Sequence, residues 1–329
     1  MIGKRNGRRE WVIFAIIFSV AAVLAFGYYV HVGRPNLAER IELHSEIIDG
    51  TAQSPYRYQV LVPFFAEIFI KAFSLFLPHF KAFLLSYALY DLAAIFALLS
   101  ILYIFFNHWF QRDHALIGVL FVAGTMAVAL RHHYFEPWSL LEAALFSLGL
   151  LLIYRKRHWV LGIVILLAAL NRETAVFIPL AFLFINIDLI GILKGKARVD
   201  KRIVLLFSTY FLLCLIVFVG LRYVIGTAPH IHTVKELWAH NIEGVSLFRT
   251  IVSNGLFLGF FWIFAALGFR HAPRFIQNAA LIIPLHLLLV IVYGVWYEVR
   301  LLMPLYAILI PLGLSYVFPR TDSENPHSA

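Results

Sequence analysis

Long apolar runs separated by short polar breaks set the pattern of this chain. They fall near positions 11–30, 82–107, 115–130, 139–153, 158–170, 174–191, 203–225, 250–269, 275–294 and 301–318. A helix needs about 20 apolar residues to cross a hydrocarbon core of about 30 Å. The runs are continuous where a barrel strand would alternate apolar and polar positions, so they predict helices. The expected fold is all-α: a polytopic transmembrane helical bundle of about ten spans, forming a single multi-pass membrane domain over 1–318. The run 158–170 is short for a full crossing, which predicts tilt, a kink or support from neighbours.

The stretch Val60 to Leu77 is a different case. Glu67, Lys71 and Ser74 share one helical face, and Pro63 and Pro78 lie near its ends. A polar stripe opposite an apolar face suits a helix lying in the membrane interface. With this helix left out, an even number of spans puts both termini in the cytoplasm.

Composition agrees, with 62% hydrophobic residues against 14% charged, where soluble domains hold about 45–50% and about 25%. The charge balance, 27 Lys+Arg against 18 Asp+Glu, is first a matter of topology, because basic residues hold cytoplasmic loops in place. The ten-span arrangement puts Lys4, Arg5, Arg8, Arg9, Arg112, Arg155, Lys156, Arg157, the basic residues of 194–202, Arg270, Arg274 and Arg320 on the cytoplasmic side. Their density there is roughly threefold that on the other face, in the direction the positive-inside rule requires. The cell (inner) membrane is the expected location. The long loops, about 31–81 and about 226–249, then lie outside, and 319–329 reads as a disordered cytoplasmic tail. Nothing points to nucleic acid. Cys214, the single cysteine, lies in an apolar run, with no disulfide partner and no Cys-based metal site.

Four polar constellations interrupt the apolar background, all on the expected extracytoplasmic face. The first is His44-Ser-Glu46-Ile-Ile-Asp49, followed by Pro55-Tyr56-Arg57-Tyr58-Gln59. The second is Arg131-His132-His133-Tyr134-Phe-Glu136-Pro137-Trp138, with Glu142 beyond it; the third is Asn171-Arg172-Glu173-Thr174. The fourth is Trp296-Tyr297-Glu298-Val-Arg300. Charges at membrane depth line a cavity or pair with one another, so four such groups on one face predict a shared cavity. Glu46 and Asp49 are either solvated positions of a loop helix or general bases for an acceptor hydroxyl. Arg57 is either a snorkelling belt residue or a fork for phosphate oxygens. His132, His133 and Glu136 permit a divalent metal, substrate hydrogen bonds or interface anchoring, and the pairs Arg172–Glu173 and Glu298–Arg300 permit structural ion pairs or lipid-phosphate contacts. No cofactor is required by this set.

The arrangement resembles bacterial membrane proteins of the GT-C glycosyltransferase type. The likeness lies in a first span, a long extracytoplasmic loop with acids, an interfacial helix, and later arginine-bearing loops on the same face. Residue by residue it rests on Pro55-Tyr-Arg-Tyr-Gln-Val-Leu-Val-Pro63 and Asn171-Arg-Glu-Thr174. That resemblance implies transfer of a sugar from a polyprenyl-phosphate donor to a glycan or lipid acceptor outside the cytoplasm. It implies Glu46 or Asp49 as the base, and Arg57, Arg172 and Arg300 steadying the phosphate leaving group. One departure is plain: the chain leaves its first span as Tyr28-Tyr29-Val30-His31, and the next acid is Glu39. A multi-pass transporter and a non-catalytic lipid-binding or assembly protein are the other classes compatible with this composition.

Overall fold

The computed structural model describes residues 2–131, 136–188, 191, 194–195 and 200–318. His132, His133 and the tail 319–329 lie outside the described residues. Every described element is helical. The chain begins with α1 (Ile2–Tyr28), which runs on through a π-helical turn at Tyr29–Gly33. Next come α2 (Leu37–Ile48), α3 (Leu61–Ser74), α4 (His79–Phe106), α5 (Arg112–Leu130), α6 (Trp138–Tyr154) and α7 (His158–Asn171). After a 3-10 turn at Glu173–Val176 follow α8 (Phe177–Asn186), α9 (Lys201–Ile225), α10 (Val234–Ile242) and α11 (Gly244–Leu258). The C-terminal part holds α12 (Phe261–Gly268), α13 (Arg274–Ala279), α14 (Ile282–Tyr293), a 3-10 stretch Val299–Leu305, and α15 (Tyr306–Val317).

The sequence sets several of these boundaries by identifiable chemistry. The Asp200 carboxylate accepts the Arg202 amide at 2.8 Å and caps α9, satisfying one of the donors a helix start leaves unpaired. The same helix stops at Gly226, whose φ of 87° only glycine adopts without strain. Thr233 and Glu236 form a reciprocal capping box at the start of α10. Pro304, without an amide hydrogen, sits in the 3-10 stretch ahead of α15.

Six helical stretches are long and apolar enough to cross a membrane: 9–33, 79–106, 112–130, 201–225, 274–293 and 299–317. The chain is thus a multi-pass helical membrane protein. The expected span at 250–269 is instead broken: α11 and α12 meet at 62°, at Gly259, where φ is 53°. Together they make a seventh candidate crossing. Three further apolar helices, Trp138–Tyr154, His158–Asn171 and Glu173–Asn186, are shorter than a straight crossing requires. The loop expected over 31–81 is largely helical, because α2 and α3 occupy most of it.

Burial sorts the helices into a centre and a rim. Helices α6 and α15 are buried at almost every position. Helices α1, α9 and α11 expose large apolar side chains, among them Trp11, Phe26, Val219, Tyr223 and Ile251. Outward apolar surface on a helix whose backbone bonds are all internal is what lipid contact requires. Helices α12 and α15 approach closely through glycines: a Cβ at Gly268 would strike the Leu312 carbonyl, and one at Gly313 the Phe261 ring. Small residues at such contacts let membrane helices approach by van der Waals packing.

Two different ends result. The starts of α1 and α5 are tied by Arg9–Asp113 at 2.7 Å and Arg112–Glu10 at 3.1 Å. The turn Arg155–Arg157 between α6 and α7 and the start of α9 carry further basic residues. The start of α6 and the ends of α7 and α9 lead to the opposite end, where the polar constellations lie.

Candidate functional site

The segment between α2 and α3 folds onto the end of α9. Ser54 donates its amide to the Pro229 carbonyl at 3.1 Å and accepts the Ile231 amide at 2.9 Å. The Arg57 guanidinium donates to the Ile225 carbonyl at 2.5 Å. The Tyr58 hydroxyl donates to the Gly226 carbonyl at 3.1 Å and accepts the Ala228 amide at 3.2 Å. Carbonyls at a helix end have no partner within the helix, so Arg57 and Tyr58 act as its cap. Arg222, one turn earlier in α9, stacks over the Tyr58 ring at 4.4 Å and lies 3.8 Å from the Glu173 carboxylate.

Tyr56 turns the other way and donates its hydroxyl to Glu136 at 2.9 Å. Arg300 grips the other Glu136 oxygen, reaches Glu298 at 2.5 Å and Ser139 at 3.2 Å, and is only 3% exposed. Burial drives the Tyr56 hydroxyl above the usual phenol range, and the Glu136 charge pushes the same way. Burial alone would raise Glu136, but the Arg300 and Arg172 charges outweigh it and hold the carboxyl below its ordinary range. Glu298 goes the opposite way, because its burial exceeds the pull of Arg300.

A neighbouring pair extends this layer. Arg172 donates to Glu142 at 2.8 Å, and the Thr174 hydroxyl donates to the other oxygen of the same carboxylate. Asn171 donates its side-chain amide to the Trp138 carbonyl at 3.0 Å, fixing the end of α7 against the start of α6. His286 of α14 donates to the Leu301 carbonyl at 2.7 Å and lines a small cavity together with Glu142, Arg172 and Thr174.

Helix α2 supplies a second buried set. Arg40, His44 and Ile47 lie on its inner face, at the i, i+4, i+7 spacing of one helical stripe. Arg40 lies 3.8 Å from Asp91 and stacks over the Tyr87 ring at 4.7 Å. His44 bridges the Tyr87 hydroxyl at 2.9 Å and Glu67 at 3.0 Å, and Lys71 pairs with Glu67 at 3.3 Å.

The structure therefore joins Glu136, Glu298 and Arg300 in one network, while Arg172 pairs with Glu142, Glu173 with Arg222, and Arg57 with the end of α9. Glu46 is half-buried and Asp49 exposed. Among the described residues neither carboxylate takes part in a side-chain hydrogen bond or ion pair. Arg131 is exposed at the end of α5. No group of three or more His, Cys, Asp or Glu side chains among the described residues is arranged to hold a metal ion. Sequence reasoning placed Tyr56 and Thr174 in the polar constellations without a role of their own, and passed over Ser139, Arg222 and His286. Arg222 lies in the last turn of an apolar run, and only the fold places it beside Tyr58 and Glu173.

The layer retains unused hydrogen-bonding capacity. Arg57 Nε, Gln59 Oε1, Trp138 Nε1, Asn171 Oδ1 and Arg300 Nε are buried without a hydrogen-bond partner among the described residues. Buried polar atoms are nearly always paired with protein or ordered water, so such a concentration marks a place able to receive polar ligand atoms or water. No protein-family model, curated protein or solved structure matches the chain.

Proposed function

We propose that this protein is a GT-C-type glycosyltransferase of the cell (inner) membrane. In this account it moves a sugar from a polyprenyl-phosphate donor to an extracytoplasmic glycan or lipid acceptor. The chain crosses the membrane ten times, with α6, α7 and the 173–186 segment as short crossings and both termini in the cytoplasm. Helix α3 lies in the outer interface: Glu67 and Lys71 form its polar edge, while Phe64, Phe65 and Ile68 are exposed on the remainder.

The observation that carries this reading is the layer of charged and unsatisfied polar groups at one end of the bundle, next to a helix whose carboxylates Glu39, Glu42 and Glu46, with Asp49 at its C-terminal cap, are unengaged among the described residues. The chemistry needs that division. A sugar hydroxyl is a poor nucleophile, so a base takes its proton, and the lipid phosphate leaves as an anion that needs donors. Glu46 and Asp49 are the bases in this account: neither is neutralised by a described cation, as is also true of Glu39 and Glu42 earlier on α2, and they lie nearest in sequence to the Tyr56–Arg57–Tyr58 segment. Arg57 and Arg172, with Arg222 beside them, supply donors to the phosphate. Arg300 is held by two carboxylates and acts through them, locking the Tyr56 segment to the start of α6.

The test is a donor-consumption assay in proteoliposomes, with polyprenyl-phosphate-linked sugar and a mixed acceptor pool. Glu46→Ala, Asp49→Ala and the double variant are compared with wild type. Loss of a general base lowers the rate by about 10²–10⁴-fold. Wild-type turnover in all three variants contradicts the assignment of the base.

A further inference from the structure

At the end of the bundle opposite the polar layer, α7 and α9 leave an open cleft of ≈ 820 Å³. Lys156, Arg157 and Arg202 line its mouth, and Ile163 and Leu166 of α7 face Leu206 and Leu213 of α9 along its walls. We propose that this cleft binds an anionic phospholipid, its phosphate held by Lys156, Arg157 and Arg202 and its acyl chain lying between α7 and α9.

Charge is the first argument. The three basic side chains at the mouth are exposed, and none forms an ion pair among the described residues. At this end Arg9 and Arg112 have acidic partners, Asp113 and Glu10. Arg155, Arg270 and Arg274, like the three at the mouth, form no ion pair among the described residues. What sets the mouth apart is that its basic side chains open on an apolar cleft. The nearest acid in sequence, Asp200, accepts the Arg202 backbone amide as a helix cap and forms no ion pair with the guanidinium. A basic cluster at a membrane surface attracts anionic headgroups, and arginine matches phosphate oxygens with two donors.

Shape is the second. From Arg202 to Leu213 the wall of α9 runs roughly 16 Å at the α-helical rise of about 1.5 Å per residue, close to half of a hydrocarbon core of about 30 Å. A headgroup at the mouth and a chain along this wall therefore fill one leaflet. Gly162 opens the α7 side: a Cβ there meets only Leu213, at 3.9 Å. The other polar groups of the cleft are satisfied within the protein: His158, next to the mouth, bonds Tyr210 at 3.2 Å, and the Thr209 hydroxyl donates to the Leu205 carbonyl. This leaves walls suited to a hydrocarbon chain. Trp159, 93% exposed beside the mouth, suits the headgroup level where tryptophan concentrates. The inference does not rest on the transferase reading, since the two sites lie at opposite ends.

The experiment is native mass spectrometry of the full chain in detergent. It is titrated with palmitoyl-oleoyl phosphatidylglycerol or the phosphatidylcholine bearing the same chains. Wild type is expected to retain phosphatidylglycerol in preference. K156Q/R157Q/R202Q, which removes charge, and G162L, which fills the cleft and keeps every charge, are each expected to weaken that binding about tenfold or more. R270Q/R274Q, which removes charge from another basic turn, is expected to leave it unchanged. In wild type alone, phosphatidylglycerol with a photoreactive chain is expected to label α7 and α9. Four results overturn the proposal: equal binding of the two lipids by wild type, wild-type binding by folded G162L, displacement by inorganic phosphate at equal concentration, or labelling confined to other helices.

Discussion

Arg172 and Glu142, thirty positions apart, meet at 2.8 Å where the end of α7 reaches the first turns of α6. Both side chains are largely buried, at 15% and 7% exposure, and the Thr174 hydroxyl completes the carboxylate. Removing one member of such a pair leaves an uncompensated charge, which destabilises by about 3–5 kcal/mol. Arg172→Ala and Glu142→Ala should each lose about that much in unfolding measured in mixed micelles. The double variant should lose clearly less than the sum, because neither charge is then stranded. Additive losses contradict a direct pair.

The bridge from Tyr87 through His44 to Glu67 makes stability depend on pH in a definite direction. Burial holds His44 below the ordinary histidine range despite the Glu67 carboxylate, so the folded state keeps a neutral ring. Burial raises Glu67, but hydrogen bonds from His44 and Lys71 outweigh it and leave the group below its ordinary range. Both folded groups thus bind fewer protons than their unfolded counterparts. Stability is complete above the unfolded histidine value of about 6.5 and falls as pH drops through and below it. The Glu67 contribution is lost at lower pH, beneath the unfolded carboxylate value of about 4.3. Melting temperature across pH 5 to 8 checks this, and His44→Gln should flatten the profile near neutrality. A wild-type profile that is flat or rises towards acid contradicts the neutral ring.

Helix contacts through glycine predict a contrast between two similar substitutions. A Cβ at Gly268 meets backbone of α15, whereas one at Gly220, on lipid-facing α9, meets nothing within 4 Å. Gly268→Ala should destabilise by about 1–3 kcal/mol through overpacking. Gly220→Ala should be neutral or slightly stabilising, because alanine favours the helix by up to about 1 kcal/mol. Thermal denaturation of the two variants side by side decides it, and equal losses contradict the close approach of α12 and α15.

The helical membrane character of the chain was legible because apolar runs and basic turns follow directly from the thickness and polarity of a bilayer. Contact among the four constellations was legible for a related reason: charges so placed need partners, and Tyr56, Glu136, Glu142, Arg172, Glu298 and Arg300 do meet. What remained hidden depends on tertiary packing. The break at Gly259 leaves the hydropathy of 244–268 continuous, so one run conceals two helices. Around α2 the constellation His44 to Asp49 drew attention without a role for His44, while Arg40, on the buried stripe with His44 and Ile47, looks like a solvated position until Asp91 and Tyr87 are brought beside it. A polar residue on a buried face interrupts the apolar periodicity by which that face is recognised. The partner of the Arg57 side chain is a single backbone carbonyl, that of Ile225 in α9, 168 positions away, and no side-chain pattern announces it.

The most direct measurement of the central claim is native mass spectrometry of the purified full chain titrated with polyprenyl phosphate and its monoglycosylated form. Phosphatidylglycerol serves as the anionic comparison, and Arg57→Ala, Arg172→Lys and G162L are run beside wild type. The account predicts saturable binding of the polyprenyl lipids, at least about tenfold tighter than phosphatidylglycerol in the presence of excess phospholipid. Arg57→Ala and Arg172→Lys should weaken it, the latter because lysine keeps the charge but lacks the planar fork. G162L, at the opposite end, should leave it intact. Polyprenyl lipids bound no better than phosphatidylglycerol, with both arginine variants indistinguishable from wild type, would contradict it.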